Sequence, residues 1–199
     1  MSDILYEAAV EYQKLKKTIY DIVLGRKGST YHIKLRFPAE SFFHLTGLQH
    51  LEDLTFPSTN KERIFKEILN KNFTIEDAKK SIHYEEYFIE ERVTNLKHLK
   101  SMIESNAVYY RINKKKYIQY TKIFADYLCE HHKSEKILYL FLVMENSFSA
   151  LENEAKGCSF FVKHRYDYTN GTAKTTTLLI EKHEDEKEEI IFRNPTYIE

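Results

Sequence analysis

Residues 137–144 read ILYLFLVM and form one of six aromatic and β-branched segments that follow Asn106. Segments of this kind, separated by short polar stretches, predict strands joined by turns. Residues 107–193 are therefore predicted to be mainly β, although KKYIQYTKIFADYLC (115–129) also tolerates helical spacing. The other five segments are AVYYRI (107–112), KIFADYLC (122–129), CSFFVKHR (158–165), KTTTLLIEK (174–182) and EEIIFR (188–193), with predicted turns at NKKK, HKSE, TNGT and HEDEK.

The chain before Asn106 shows helical spacing instead. Apolar side chains recur at helical intervals over residues 4–23, and Gly25 lies where a helix of that length would end. A second run, over residues 89–103, predicts the longest helix of the chain. Residues 1–105 are thus expected to be mainly helical.

Two further helix starts and one strand are predicted between these runs. Thr59 and Glu62 form a capping-box pattern before IFKEIL, and Thr74 begins a shorter helical turn. Residues 30–37 alternate with period two, and Pro38 ends the strand because it has no N–H to donate. We expect this strand to join the later sheet, since a lone strand would leave its backbone groups unpaired.

Helices first and hairpin-linked strands later predict the α+β fold class. N-terminal helices would pack on one face of an antiparallel β-sheet, and the other face would be at least partly open. Only three prolines and five glycines punctuate the 199 residues, and no linker or internal repeat divides them. A single α+β domain over residues 1–199 is therefore expected.

The composition excludes several classes of protein. Thirty Lys and Arg balance thirty Asp and Glu, so no global positive field draws nucleic acid or anionic membrane, and phosphate binding would have to be local. Cys129 and Cys158 match no metal-ligand spacing. The amino-terminal residues lack the features of a signal peptide, and no apolar run approaches membrane-spanning length. These features predict a soluble, cytoplasmic protein with no membrane partner.

The stretch SFFHLTGLQHL (41–51) places two histidines and a Thr-Gly pair after the predicted strand. It is predicted to be a short helix with buried aromatic and leucine positions and with His44 at the margin of the open sheet face. Gly47 would allow close packing near the imidazole, and Thr46 is a candidate substrate-binding residue. His44 could instead be structural, bonded to a backbone carbonyl. His50 would point to another side of the helix and is expected at the surface.

The strand CSFFVKHR predicts a second part of the site. Period two places a hydroxyl, an aromatic ring and two cations on one of its faces. Such a face suits phosphates and bases. The four residues are Ser159, Lys163 and Arg165, as catalytic candidates, and Phe161, as a substrate-binding candidate.

The neighbouring KTTTLLIEK could add Thr176 and Lys182 on one side, or Thr175 and Thr177 on the other, depending on hairpin register. The lysines of NKKK could bind RNA phosphates, or could form a solvated hairpin tip. The acidic HEDEKEE (183–189) predicts a solvated turn or a docking patch for a basic partner. Other histidines lack a metal partner at ligand spacing, so no metal site is predicted.

Three patterns together resemble one family: FHLTGL (43–48), KIFADYLCE followed by ILYLFLV, and the late CSFF. They resemble the phage-associated predicted nucleases related to barnase, EndoU, colicin nucleases and RelE, the BECR fold, over most of the chain. The resemblance implies a metal-independent endoribonuclease with helices on a small antiparallel sheet and RNA over the other face. Such proteins are often toxins or mobile-element weapons. Only His44, Leu45, Gly47 and residues 159–161 carry over position by position.

RNA cleavage without a metal requires a base for the 2′-hydroxyl, an acid for the leaving 5′-oxygen and cations for the phosphorane. Histidine suits proton transfer because its unperturbed pKa is roughly 6.5. The leading interpretation is therefore an endoribonuclease with no cofactor, acting on single-stranded or structured RNA and leaving 2′,3′-cyclic phosphate ends. An inhibitor or antitoxin protein is an expected partner. The oligomeric state is not indicated.

Two other interpretations remain open. A non-enzymatic phage-encoded protein could inhibit a host defence system on the same scaffold, and the neutral net charge favours this reading. A sheet-based module could instead bind another protein through exposed aromatic side chains. His44 together with Ser159, Lys163 and Arg165 favours the nuclease.

Overall fold

The computed structural model describes residues 3–105, 107–119, 121–145 and 153–198. The helices are α1 (Ile4–Leu15), α2 (Ala39–Leu45), α3 (Lys61–Leu69), α4 (Ile75–Ala78), α5 (Ile89–Leu96), α6 (Leu99–Ile103) and α7 (Lys114–Tyr117), with a 3₁₀ turn at Leu48–His50. The strands are β1 (Thr18–Arg26), β2 (Ser29–Arg36), β3 (Val108–Ile112), β4 (Tyr127–Lys133), β5 (Lys136–Met144), β6 (Glu154–Val162), β7 (Thr172–Lys174), β8 (Thr176–Glu184) and β9 (Lys187–Arg193).

The nine strands in the described part of the chain belong to one sheet, in the order β7-β3-β4-β5-β6-β2-β1-β8-β9. The strand predicted near residues 30–37 therefore joins the later sheet, as expected. Its partner there is β6, and this pair is parallel, with Leu35 opposite Ala155. Every other pairing is antiparallel. The antiparallel prediction is thus correct for all but one pair, which the long connection between β2 and β6 makes possible.

The sheet curls until its two ends meet. β7 and β8 form one run interrupted at Thr175, and β7 pairs with β3 while β8 pairs with β1. The Thr175 amide and hydroxyl both donate to the Tyr109 carbonyl, at 2.9 and 2.7 Å. This bent run joins both ends of the sheet, and β9 is added beyond β8. The predicted sheet, with one face at least partly open, is therefore a curled one.

The main core lies between the helices and one face of this sheet. Aromatic rings meet edge to face at its centre: the Tyr12 ring lies 5.4 Å from Phe42, and Phe42 lies 5.0 Å from Phe65. Tyr20 of β1 and Phe160 of β6 are fully buried in the same core. Burial of such rings is the main stabilising contribution here. The predicted packing of helices on one sheet face is confirmed for this part of the molecule.

The other face of the central strands carries a second core. Tyr139 and Phe141 of β5 are buried there, and Tyr117 of α7 and the partly buried Tyr168 pack against the same cluster. β5 is therefore buried on both faces, which explains the unbroken apolar run ILYLFLVM. The face that was predicted to be at least partly open is thus covered over these strands, by α7 and the segment after β6.

The largest error in the first half concerns β1. Residues 18–26 were expected to continue the first helix, but α1 ends at Leu15 and β1 follows. Alternate side chains of β1 are buried, and the strand pairs on both sides, with β2 and β8. The β1–β2 turn has Lys27 and Gly28 at φ of 50° and 77°, as a two-residue hairpin requires. These pairings outweigh the helical spacing of the apolar residues.

Smaller differences occur at helix ends. The run over residues 89–103 divides into α5 and α6, and α1, with 12 residues, exceeds both in length. α3 begins one residue later than the pattern at Thr59 predicted, because the Asn60 side chain accepts the hydrogen bond from the Arg63 amide. The helix start at Thr74 is confirmed, with a full capping box to Asp77. NKKK enters α7 rather than a hairpin turn.

Candidate functional site

His44 lies on α2 and faces α3. Its Nε2 is 2.8 Å from the Lys61 ammonium. Burial, followed by the charge of Lys61, lowers the pKa of His44 below its ordinary value. The structure therefore places this imidazole beside Lys61 rather than beside residues 159–165. Thr46, at the end of α2, is fully buried and donates its hydroxyl to the Phe42 carbonyl at 2.8 Å. Because this hydroxyl is enclosed and already bonded, the prediction that Thr46 binds substrate is not supported by its position.

The predicted platform of β6 is only partly present. Ser159 is buried, and Phe161 is half-buried beside the second core. β6 ends at Val162, so the residues after it do not continue the period-two face. The Lys163 ammonium lies 2.9 Å from the Asp167 carboxylate, whereas Arg165 is exposed. Ser159, Phe161 and Arg165 remain together, but Lys163 is paired elsewhere.

The candidates on β8 lie apart from this group. Lys182 is within 2.9 Å of Glu184 and 3.6 Å of Glu104. Thr176 is paired with Gly25 of β1. Since β8 borders β1 in the sheet while residues 159–161 belong to β6, the hairpin register proposed to unite the two groups does not occur.

A cleft of about 700 Å³ opens beside β6, and we call it the aromatic cleft. The 3₁₀ turn and three segments line it: residues 86–92, 121–123 and 159–168. The lining contains cations and imidazoles, which can form hydrogen bonds, and aromatic rings. Its cations are Arg92, Lys122 and Arg165, its histidines are His50 and His164, and its rings are Tyr87, Phe88, Phe161, Tyr166 and Tyr168.

Arg92 of α5 lies at the base of the aromatic cleft and is only 9% exposed. Its Nε donates to the Tyr87 carbonyl (3.0 Å) and its Nη1 to the Phe160 carbonyl (3.2 Å), and the guanidinium carbon lies 5.0 Å from the centre of the Phe161 ring. Burial lowers the pKa of Arg92 to about 10, so the group stays charged at neutral pH.

Arg92 forms no ion pair with a carboxylate in the described ranges. A buried charge without a counter-ion is costly. Guanidinium has five N–H donors, and the two protein carbonyls leave others for an anion. The position therefore suits a bound phosphate, which would supply the missing negative charge.

Gly47 makes room for this arginine. Its φ is 80°, in the left-handed region, directly after the end of α2. A Cβ at this position would lie 2.8 Å from Arg92 Cδ and 3.0 Å from Ile89 Cδ1. The prediction that Gly47 allows close packing is correct, but the neighbour is Arg92 and not His44.

His50 lies in the 3₁₀ turn and is half-buried, not at the open surface as predicted. Its ring stacks on Tyr87 at 4.2 Å with an interplanar angle of 5°. When the Gln49 amide is oriented to donate to the Phe43 carbonyl (2.8 Å), its oxygen accepts from His50 Nε2 (3.1 Å). This bond leaves Nδ1 as the unprotonated nitrogen. Burial, and then the charge of Arg92, lowers the pKa of His50, so the imidazole is neutral at neutral pH.

His164 is the second imidazole of the aromatic cleft. Its ring stacks on Phe88 at 4.2 Å, and its Nε2 lies 2.8 Å from the Glu91 carboxylate. Phe88 has a φ of 52°, which is strained for an aromatic residue. The strained backbone thus occurs where Phe88 contacts a cleft histidine.

The cysteines do not contribute a nucleophile. Burial raises the pKa of Cys129 and of Cys158 to about 12, so both are thiols at neutral pH. In the part of the chain that the structure describes, no group of three His, Cys, Asp or Glu side chains could hold a metal ion. No helix in that same part is long and apolar enough to cross a membrane.

Sequence reasoning missed His50 and Arg92. Arg92 gave a usable signal, because it follows Ile89 by three residues and precedes Val93 and Leu96 on the apolar side of α5. A cation on the buried side of a helix indicates either a buried ion pair or a ligand site. His50 gave no comparable signal, since the 3₁₀ turn changes the direction of the chain after Gly47.

Cations that have no carboxylate partner among the described residues lie in this cleft together with imidazoles and aromatic rings. Proteins bind nucleic-acid phosphates and bases with such groups. The family model PBECR4, described as phage-Barnase-EndoU-ColicinE5/D-RelE like nuclease4, matches residues 4–195. The chain therefore belongs to this nuclease family, which confirms the resemblance found in its sequence. Among the curated proteins and the solved structures, nothing matches the chain.

Proposed function

We propose that the protein is a metal-independent endoribonuclease whose active site is the aromatic cleft. One observation carries the proposal: the buried Arg92, without a described carboxylate partner, lines the same cleft as the half-buried His50. A cation next to an imidazole with a lowered pKa provides both charge stabilisation and a base. Family membership supplies nucleic acid as the substrate class.

In the proposed reaction, His50 Nδ1 accepts the proton of the ribose 2′-hydroxyl. The 2′-oxygen then forms a bond to the adjacent phosphorus, and the bond from phosphorus to the 5′-oxygen breaks. The products are a 2′,3′-cyclic phosphate and a 5′-hydroxyl. Because its pKa is lowered, His50 is already unprotonated at neutral pH, as a base must be.

Arg92 would stabilise the negative charge on the non-bridging oxygens through its remaining N–H groups, with Arg165 at the rim of the cleft. His164 is the proposed acid. It would give a proton to the departing 5′-oxygen, and the Glu91 carboxylate, 2.8 Å from Nε2, would orient the ring. Ser159 also lines the cleft and could donate a hydrogen bond to the phosphate.

The rings of the aromatic cleft support single-stranded RNA as the substrate. Tyr166 is exposed, and Phe161 and Tyr168 pack together with ring centres 5.2 Å apart. Unpaired bases can stack on such rings, whereas the bases of a duplex are already stacked on one another. DNA lacks the attacking hydroxyl, so it should bind without being cleaved.

The test compares His50→Ala with His44→Ala. Both histidines lie in the same short stretch and both have a pKa lowered by burial and a nearby cation, but only His50 lines the aromatic cleft. Cleavage of single-stranded RNA in EDTA, the chemistry of the product ends and thermal unfolding are measured together. We expect His50→Ala to lose about a hundred- to ten-thousand-fold in rate, with His44→Ala near wild type.

Three results would count against the proposal. Loss of cleavage in His44→Ala but not in His50→Ala would place the centre at α2 and α3, where His44 meets Lys61. Loss of wild-type activity in EDTA would show that a metal is required. Cleavage of DNA would exclude attack by a 2′-hydroxyl.

We further propose that the nuclease acts as a toxin in conflict between phages, mobile elements and their hosts, in the cytoplasm, with an inhibitor or antitoxin as partner. Induced expression of the wild type should then stop growth, and His50→Ala should not. A non-enzymatic phage-encoded inhibitor of host defence, the alternative on this scaffold, predicts that both chains affect growth equally.

A further inference from the structure

A second cleft of about 700 Å³ shares one lining segment with the aromatic cleft. Residues 113–126 connect β3 to β4 and contribute to both clefts. Residues 121–123 line the aromatic cleft, whereas residues 113–115 line the second. The remaining wall of the second cleft comes mainly from the β1–β2 hairpin and β3, and we call it the basic cleft.

The basic cleft carries an excess of positive charge. Arg26, Arg111 and Lys115 line it, and none forms an ion pair with any carboxylate that the structure describes. Lys114 is paired with Asp126 at 2.6 Å, so this acid is already neutralised. The cleft therefore has several cations available for an anionic ligand.

Arg111 is positioned in advance for such a ligand. Its guanidinium carbon lies 4.5 Å from the centre of the Tyr31 ring, and its side chain is exposed. An arginine side chain that is held against a ring loses less conformational entropy on binding a phosphate than a side chain that moves freely in solvent. Tyr31 and Arg111 both line the basic cleft.

The segment shared by the two clefts has the same character. Residues 111–122 contain five Lys and Arg and no acid. Phe124 is 62% exposed, with the Lys114 ammonium 4.3 Å from its ring centre, and Ile118 is 69% exposed. Cations beside an exposed ring, here Phe124, are groups with which proteins hold single-stranded nucleic acid regardless of sequence.

We infer that the basic cleft binds the phosphate backbone of the same RNA strand, beyond the nucleotides held at the aromatic cleft. The inference rests on the proposed function for the identity of the strand. An acidic protein would match the charge, but it would leave the exposed Phe124 ring without a base to stack on it. The basic cleft thus makes the protein select longer single strands over short ones.

Binding is measured by fluorescence anisotropy with two single-stranded DNA oligonucleotides, of about four and about twenty nucleotides, which lack the reactive hydroxyl. Arg111→Ala and Lys115→Ala are tested singly and together. Lys16→Ala is the control, because its ammonium also lies near a ring, 5.5 Å from the centre of Phe65, but on the helical side of the molecule. Thermal unfolding checks that each variant is folded.

Each lost phosphate contact should reduce the slope of log affinity against log salt by about 0.7, which is about fourfold in affinity at 0.15 M salt. The double variant should lose about fourteenfold for the long oligonucleotide and nothing for the short one. With RNA, its KM should rise for long substrates while a dinucleotide is cleaved as by wild type.

The outcomes separate this inference from the proposed function. Unchanged affinity and salt slope in the double variant would overturn the inference, even if the protein cleaves RNA. If the wild type cleaves nothing but the double variant still loses affinity for the long strand, the proposed function fails and the nucleic-acid site stands. Binding of polyglutamate but not of the oligonucleotides would overturn the inference in favour of an acidic protein partner.

Discussion

Replacing Gly47 by alanine should lower both the stability and the catalytic rate, because it strains the backbone and creates a steric clash with Arg92. The residue has a φ of 80°, and the left-handed region costs an L-residue roughly 1–2 kcal/mol. The new Cβ would also lie 2.8 Å from Arg92 Cδ and 3.2 Å from Arg92 Nε. Nε cannot move away freely, since it donates to the Tyr87 carbonyl at 3.0 Å.

Gly28→Ala separates these two effects. Gly28 has a φ of 77°, almost the same as Gly47, but a Cβ there would have nothing within 4 Å. It should therefore show the backbone cost alone, about 1–2 kcal/mol. Gly47→Ala should lose that amount plus roughly 1–3 kcal/mol for the overpacked side chain and disturbed hydrogen bonds of Arg92.

Denaturant unfolding and RNA cleavage are measured on both variants, under conditions where both are folded. For a chain of this size each kcal/mol lowers Tm by roughly 2–4 °C. Gly28→Ala should cleave RNA like wild type, whereas Gly47→Ala should be at least about tenfold slower because the Arg92 guanidinium is displaced. Equal stability losses in the two variants, with equal activities, would refute the claim that Gly47 positions Arg92.

Three further predictions concern groups whose pKa is shifted by burial. The acidic limb of kcat/KM should lie below pH 6.5, because the pKa of His50 is lowered and its neutral form is the proposed base; a limb above pH 7 would contradict this assignment. Because the pKa of His50 is lower in the folded than in the unfolded state, the free energy of unfolding should fall as the pH drops below roughly 6.5. The fall should be less steep in His50→Ala. Burial raises the pKa of Cys129 and Cys158 to about 12, so an alkylating reagent at pH 7.5 should modify the native protein far more slowly than the unfolded one. Rapid labelling of the native protein, followed by mass spectrometry, would show that one thiol is more accessible than the structure indicates.

The parts of the fold that were predictable depend on local signals. β5 was predictable because its apolar run is unbroken and is bounded by polar residues. α4 was predictable because Thr74 and Asp77 form a local capping box. β1 was not, since the apolar residues before Gly25 fit a helix as well as a strand. What decides for the strand is its pairing with β8, more than 150 residues later in the chain.

The site was less predictable for the same reason. Period two correctly grouped Ser159 and Phe161, which belong to a regular strand and line the aromatic cleft. The period-two pattern does not hold after Val162, because β6 ends there and the Lys163 side chain forms an ion pair with Asp167. The meeting of His50 with Arg92 depends on how α2, the 3₁₀ turn and α5 pack on β6, and no spacing within a single segment encodes that arrangement.

The neutral net charge favoured the interpretation of the chain as a non-enzymatic protein. It results from acidic and basic groups that lie far apart. Residues 181–189 contain six acids, and their turn lies at one end of the bent run formed by β7 and β8. At the other end, Ala173 is paired with Arg111 of the basic cleft. β8 alone, from Thr176 to Glu184, extends over about 27 Å at the usual rise per residue.

Exposed charges are screened over about 8 Å at physiological salt. The acids at the far end of β8 therefore have little influence on an anion at the basic cleft, where residues 111–122 contribute cations and no acid. A nucleic-acid strand that approaches this side of the molecule meets a positive surface although the chain as a whole is neutral. The total charge is thus no argument against a nuclease here, and the distribution of charge along the bent strand favours one.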